Sequence, residues 1–278
     1  MQLRLSSFPY ASELRAAGAS VLAAASVLGL SSCSAHTPPA HLGVEHLRAE
    51  VIERLESDPT YFTQGLEVAP DGTVWVGTGL YGESTILQRN PATGEVIHSH
   101  DLPADIFGEG ITHYDNSLWQ LSWKAGKAFK YDAATLRPTG EATYPGEGWG
   151  LCAMDNHLVL SDGTSTLRIL DPETFAEKSR VDVTLEGRAV DKLNELECVD
   201  GAVYANVWYS TDILRIDPSD GKVTAVIDAS ASTGVKNTGE ENPDAVLNGI
   251  AHIPGTEEFY LTGKLWSDLY RVRFVEVE

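Results

Sequence analysis

The stretch Glu109-Gly110-Ile111-Thr112-His113-Tyr114-Asp115-Asn116-Ser117-Leu118-Trp119-Gln120-Leu121 sets a polar residue before a small one and an aliphatic one, then an Asp-Asn turn and a second apolar strand. Working outward, the same order recurs at Gln64-Gly65-Leu66, Trp149-Gly150-Leu151, Asn194-Glu195-Leu196 and Asn248-Gly249-Ile250, at steps of 45, 40, 45 and 54 residues. A third strand follows, closed by an Asp or Asn turn, as in Leu87-Gln88-Arg89-Asn90-Pro91 and Arg168-Ile169-Leu170-Asp171-Pro172. A fourth completes the first four copies, as in Val223-Thr224-Ala225-Val226-Ile227. No stretch after Cys33 keeps helical periodicity for three turns. Short strands in a repeat of roughly 40–50 residues predict an all-β chain, a five-bladed β-propeller. The fifth copy runs out at Val272-Arg273-Phe274-Val275-Glu276-Val277. Leu47 to Leu55, upstream of the first copy, is expected to supply the missing outer strand, so that the N-terminal strand closes the last blade and removes an open sheet edge.

Composition narrows the partners. The chain has 278 residues, 40 acidic against 20 basic side chains, a net charge of −20 and three Cys. It is too apolar for a disordered acidic tail and too poor in Cys for a disulfide-stapled miniprotein. Its charge excludes a nucleic-acid partner and favours cationic ligands. Residues 1–32 read as a secretory leader: Arg4 and Arg15, an uncharged run from Ala16 to Ser32, then Leu30-Ser31-Ser32-Cys33. That ending resembles a bacterial lipoprotein signal, which implies a lipid on Cys33, a cell-membrane anchor and an extracytoplasmic location; an ordinary signal peptide, with a secreted chain, is the alternative. Residues 33–45 are expected to form a tether and 46–278 the propeller.

In a propeller the first strand of each blade lines the central channel, so Gln64, Glu109, Trp149, Asn194 and Asn248 are expected to converge on the axis. Trp123, Gly163, Trp208 and Lys264 form a second equivalent set, 14 to 16 residues after their ring partners. Amides, one carboxylate, three Trp and a Lys make poor core and a good pocket.

Several motifs carry a resemblance. Phe62-Thr63-Gln64-Gly65-Leu66, Thr78-Gly79-Leu80-Tyr81-Gly82, Phe107-Gly108-Glu109-Gly110-Ile111-Thr112, Gly148-Trp149-Gly150-Leu151, Leu193-Asn194-Glu195-Leu196-Glu197, Asn206-Val207-Trp208, Leu247-Asn248-Gly249-Ile250 and Thr262-Gly263-Lys264-Leu265-Trp266 resemble the glutaminyl-peptide cyclotransferases of the plant and bacterial type. The resemblance implies a five-bladed propeller that cyclises N-terminal Gln to pyroglutamate and releases ammonia. It implies Glu109 as proton shuttle and Asn194 and Lys264 as residues needed for activity. Gln64 and Asn248 are expected to hold substrate polar groups, and Phe62, Trp149 and Trp208 to form apolar walls, with Trp123 beside Glu109 by spacing. No cofactor or catalytic metal is expected. Acidic turns admit a structural Ca²⁺, although no ligand spacing fixes one. The expected partner is a peptide or protein with an N-terminal Gln, and a monomer is expected. A non-catalytic propeller that binds peptide N-termini at the membrane is the alternative.

Two positions depart from the family pattern, with Val76 where relatives carry a carboxylate and Glu83 where they carry a cation. Ser230 to Asp244, which lengthens the last step, is expected to be a solvated loop, with a lid over the pocket as the alternative. Gly146-Glu147-Gly148-Trp149-Gly150 opens a strand and not a helix, so it is set aside as a phosphate loop. His98 and His100 share a strand face without a third ligand. Cys152 directly follows Leu151 whereas Cys198 lies two residues after the equivalent Leu196. That places the two thiols on opposite strand faces, and no disulfide is expected between them.

Overall fold

A computed structural model of the chain describes residues 43–236 and 242–277. The leader, Cys33, the tether as far as residue 42 and the middle of the 230–244 insertion lie outside the described residues. Strand β1 is Glu45–Glu56. The first repeat is β2 (Thr63–Val68), β3 (Val74–Thr78), β4 (Thr85–Arg89) and β5 (Val96–Asp101). The second is β6 (Gly108–Tyr114), β7 (Ser117–Ser122), β8 (Lys127–Asp132) and β9 (Pro138–Thr143). The third is β10 (Leu151–Met154), β11 (His157–Leu160), β12 (Thr166–Leu170) and β13 (Glu177–Asp182). A small hairpin, β14 (Thr184–Leu185) and β15 (Arg188–Ala189), leads to the fourth: β16 (Leu193–Val199), β17 (Ala202–Val207), β18 (Asp212–Ile216) and β19 (Val223–Asp228). The fifth is β20 (Leu247–His252), β21 (Glu258–Gly263) and β22 (Asp268–Glu276).

The fold is all-β, and every repeat is an antiparallel meander in chain order. Asp and Asn after the third strands make the return turns, as the sequence suggests. Asn90 Oδ1 accepts the N–H groups of Ala92 and Thr93, and Asp171 Oδ1 those of Glu173 and Thr174. Five apolar cores lie between successive repeats. Trp75, Ile86, Ile111 and Phe129 join repeats one and two, and Trp119, Leu121, Leu151 and Leu158 join two and three. Val159, Leu167, Leu196 and Val203 join three and four, and Ile213, Ala225, Ile250 and Phe259 join four and five. Leu66, Val76, Leu87 and Ala251 return from five to one. The first strands therefore touch in a closed circuit, β2 on β6, β6 on β10, β10 on β16, β16 on β20 and β20 on β2.

No ladder pairs one of these first strands with the next. Side-chain carboxylates bridge some of the gaps. Glu67 on β2 accepts the His113 N–H of β6 at 2.8 Å, and Glu197 on β16 accepts that of His252 on β20 at 2.8 Å. Glu195 on β16 holds two strands, through Leu66 N of β2 at 3.2 Å and Ile250 N of β20 at 2.9 Å. Elsewhere the backbones abut so closely that only glycine fits. A Cβ on Gly150 would stand 2.0 Å from the Asn194 carbonyl oxygen.

β1 completes the fifth repeat by pairing antiparallel with β22 from Leu47↔Glu276 to Glu56↔Asp268. Its other edge pairs in parallel with β19, from Glu45↔Ala225 to Arg48↔Asp228, a contact the sequence did not announce. The fourth and fifth repeats thus share one eight-stranded sheet. Arg54 fixes the far end of β1 with two bonds of 2.7 Å to Asp268.

The expectation about the cysteines is overturned. Cys152 of β10 and Cys198 of β16 form a disulfide, with Cα atoms 5.4 Å apart. Opposite faces are what such a bridge requires. Leu151 turns towards the second repeat and its equivalent Leu196 towards the third. Cys152, on the other face from Leu151, therefore meets Cys198, on the same face as Leu196, in the gap between sheets three and four.

Candidate active site

The ring residues owe their direction to a backbone irregularity. The pairing register shifts between Thr63 and Gly65, Gly108 and Ile111, Leu193 and Leu196, and Leu247 and Ile250. Gln64, Glu109, Asn194 and Asn248 fall inside these bulges, where an unpaired residue is re-aimed away from the sheet face. Trp149 sits just before β10, with its N–H on the Ser161 carbonyl at 2.8 Å. The second set follows the ends of second strands: Trp123 after β7, Trp208 after β17 and Lys264 after β21. Tyr209 (φ 67°) and Leu265 (φ 58°) then take left-handed backbone, which turns the chain immediately after Trp208 and Lys264. Gly163 makes room in this set, since a Cβ there would meet the Trp149 ring at 2.6 Å.

Together they enclose a cavity of about 190 Å³ lined by Phe62, Gln64, Phe107, Glu109, Trp123, Trp149, Asn194, Trp208 and Lys264. Aromatic edges build the walls. Phe62 and Phe107 meet at 6.0 Å, Phe107 and Trp123 at 5.5 Å, and Trp149 and Trp208 at 5.3 Å. Asn248 is the one expected contact that does not line the cavity. It is fully buried and donates to the Thr63 carbonyl at 3.0 Å and to Gln64 Oε1 at 3.1 Å, so it orients the Gln64 amide.

Glu109 and Lys264 are the buried charged groups of the cavity, 4% and 5% exposed. Burial pushes the Glu109 carboxyl well above its usual range; the Lys264 charge opposes that push and the Glu147 charge adds to it. Burial pulls Lys264 down to about 8, with Glu109 and then Asp244 opposing. The Lys264 ammonium stands 4.7 Å over the Phe62 ring, a cation–π contact in a desolvated setting. Asn194 presents a buried Oδ1 that has no hydrogen-bond partner among the described residues. The cavity thus offers a buried carboxyl, a cation, aromatic walls and an amide oxygen without a partner among the described residues. Among the described residues, no group of three or more His, Cys, Asp or Glu is placed to hold a metal ion.

Two residues were missed. Phe107 lines the cavity, and Glu147 accepts two indole N–H groups on one oxygen, from Trp123 at 2.8 Å and Trp149 at 3.1 Å. Its other oxygen is 3.7 Å from the Lys124 ammonium, which lies 3.7 Å over the Trp123 ring. The repeat contained the signal. Phe62, Phe107 and Glu147 all stand two residues before a ring position, and only Phe62 drew notice. The departures from the family pattern lie elsewhere. Val76 is packed in the core between repeats five and one, Glu83 is exposed, and neither lines the cavity.

A family model described as glutamine cyclotransferase matches residues 23–274. A curated glutaminyl-peptide cyclotransferase of Arabidopsis thaliana is 38% identical over 226 residues, which cover 81% of this chain and 70% of that protein. The crystal structure of Myxococcus xanthus glutaminyl cyclase aligns with a TM-score of 0.79 at 38% identity, over 84% of this chain and 100% of that one. By the span of the family model and the identity over most of both chains, this chain belongs to the glutamine cyclotransferase family.

Proposed function

We propose that the chain converts the N-terminal glutamine of peptides and proteins to pyroglutamate with release of ammonia, in the axial cavity of a five-bladed β-propeller. The closed circuit of first strands and the five inter-sheet cores support the blade count. The substrate supplies its own nucleophile. Its α-amine nitrogen bonds to the γ-amide carbon, the bond from that carbon to the amide nitrogen breaks, and one proton passes from the attacking to the leaving nitrogen. Aromatic walls that fold the side chain back onto the amine raise the effective concentration of the two ends.

Glu109 carries the proton, taking it as a carboxylate from the amine and returning it to the departing ammonia. A raised carboxyl pKa suits both halves of that transfer, because the donor and acceptor nitrogens titrate near neutrality or above. Lys264 stabilises the negative charge that develops on the amide oxygen, and Asn194 Oδ1 receives a substrate N–H. Gln64, oriented by Asn248, holds the substrate backbone. Glu147 keeps the Trp123 and Trp149 walls in place. No cofactor or metal enters the scheme, so activity is expected to survive a chelator.

The observation that carries this reading is a buried Glu109 facing Lys264 inside an aromatic cavity with the volume of one residue. Ammonia release from a Gln-initiated dipeptide tests it. Full activity in Glu109→Gln overturns the shuttle, and a wild type that binds the peptide without releasing ammonia favours the binding-module alternative. The leader and Cys33 support a lipid-anchored chain outside the cytoplasm, and the Cys152–Cys198 bridge suits an oxidising compartment. Cys33→Ser is then expected to move the protein from membrane to soluble fraction. A monomer is proposed and is checked by light scattering.

A further inference from the structure

The cavity of about 190 Å³ matches about six water volumes, the scale of one amino-acid residue. If it holds the N-terminal glutamine, the next residue of the peptide must stand at its mouth. Two exposed tyrosines pack against aromatics of the cavity wall. Tyr81 is 55% exposed and lies 5.4 Å from the Phe107 wall, at 74°. Tyr209 is 53% exposed and lies 4.5 Å from the Trp208 wall, tilted at 30°. Tyr81 thus meets Phe107 edge to face and Tyr209 lies at a shallow tilt on Trp208, each more than half exposed.

Their backbone is the second observation. Tyr209 itself is left-handed at φ 67°, and Tyr81 is flanked by Leu80 at 85° and Gly82 at 80°. Glycine or asparagine takes the Tyr209 angle with less strain, so an exposed aromatic at that position points to a use beyond packing. Exposed tyrosine also supplies a large contact area with few rotors to freeze, as in peptide-binding surfaces. The wall between repeats two and three differs, since Lys124 and Glu147 make it charged at the surface.

We propose that Tyr81 and Tyr209 form a rim subsite for the residue after the N-terminal glutamine, and that it favours apolar and aromatic side chains at that position. This rests on the cyclisation reading, because the geometry matters only if the first residue occupies the cavity. It adds a substrate preference that Glu109 and Lys264 cannot confer.

The test compares Gln-Gly and Gln-Phe dipeptide amides with wild type, Tyr81→Ser, Tyr209→Asn and the double variant. Asparagine at 209 tolerates the left-handed backbone and so separates loss of the ring from loss of the turn. Wild type is expected to turn over Gln-Phe with a kcat/KM about tenfold above Gln-Gly. The double variant is expected to lose that advantage through a raised KM for Gln-Phe, with kcat and the Gln-Gly reaction within about twofold of wild type. Equal wild-type rates on both substrates overturn the subsite, as does a loss in the variants that falls equally on both or falls on kcat. Those outcomes leave cyclisation standing. A wild type that releases no ammonia from either amide overturns the cyclisation reading, and the subsite with it.

Discussion

Glu109 and Glu195 lie one register step apart in the repeat, Glu109 at the ring position of the second copy and Glu195 just after that of the fourth. Both are almost completely buried, and burial raises both carboxyls well above the ordinary range. Their oxygens are used differently. Glu195 fills a place that is glycine in the other four copies, and each of its oxygens accepts a backbone amide from a different repeat. Glu109 opens onto a cavity and faces Lys264. A perturbed pKa therefore does not by itself mark a working carboxylate. What distinguishes the two is whether the fold has already taken the lone pairs.

Glu109→Gln is expected to lower kcat by roughly 10²–10⁴ while leaving the melting temperature unchanged or raised, read by ammonia release and calorimetry. Glu195→Leu should do the reverse. It orphans the Leu66 and Ile250 amides, at about 1–3 kcal/mol each, with kcat per folded molecule retained, read by urea unfolding. Cys152→Ser, which opens a bridge between the third and fourth repeats, is expected to cost about 2–4 kcal/mol in the same assay.

The pH dependence sharpens the contrast. Glu195 has a raised folded pKa, so its stabilising contribution is complete below the ordinary value of 4.5 and is lost as pH rises through the raised one. Glu195→Gln should accordingly gain stability relative to wild type as pH rises from 4.5 towards the raised value. For catalysis, Glu109 must start ionised and Lys264 charged. The acid limb of kcat is then expected above the ordinary carboxylate range, and the alkaline limb near the Lys264 value of about 8. The smallest effect belongs to Glu147→Gln. Removing that negative charge lowers the Glu109 pKa, and the acid limb should move down by a fraction of a pH unit.

Much of the site was legible because it repeats. Four ring residues occupy a bulge at the same point of the repeat, and Trp149 holds that point in the third copy. Spacing alone therefore selected Gln64, Glu109, Trp149, Asn194 and Asn248, with Trp123, Trp208 and Lys264 one strand later. Phe107 and Glu147 stood in the same register as Phe62 and were legible too, but polarity hid Glu147 among wall positions. Asn248 sits in the equivalent bulge of the fifth repeat. Its hydrogen bonds to the Thr63 carbonyl and Gln64 Oε1, which withdraw it from the cavity, cross from the fifth repeat to the first and leave no trace in spacing.

By itself, the amino-acid order determined the repeat, the strands, the Asx turns and the converging residues, because each depends on neighbours within one unit. Tertiary structure decided what depends on two units facing each other. The Cys152–Cys198 bridge, the two-way grip of Glu195, the double pairing of β1 and the shared indole acceptor at Glu147 all lie between repeats. The physical reason is one of opposed faces. Equivalent residues in consecutive sheets point the same way around the ring, so partners across a gap are always inequivalent positions, which a search for equivalence passes over.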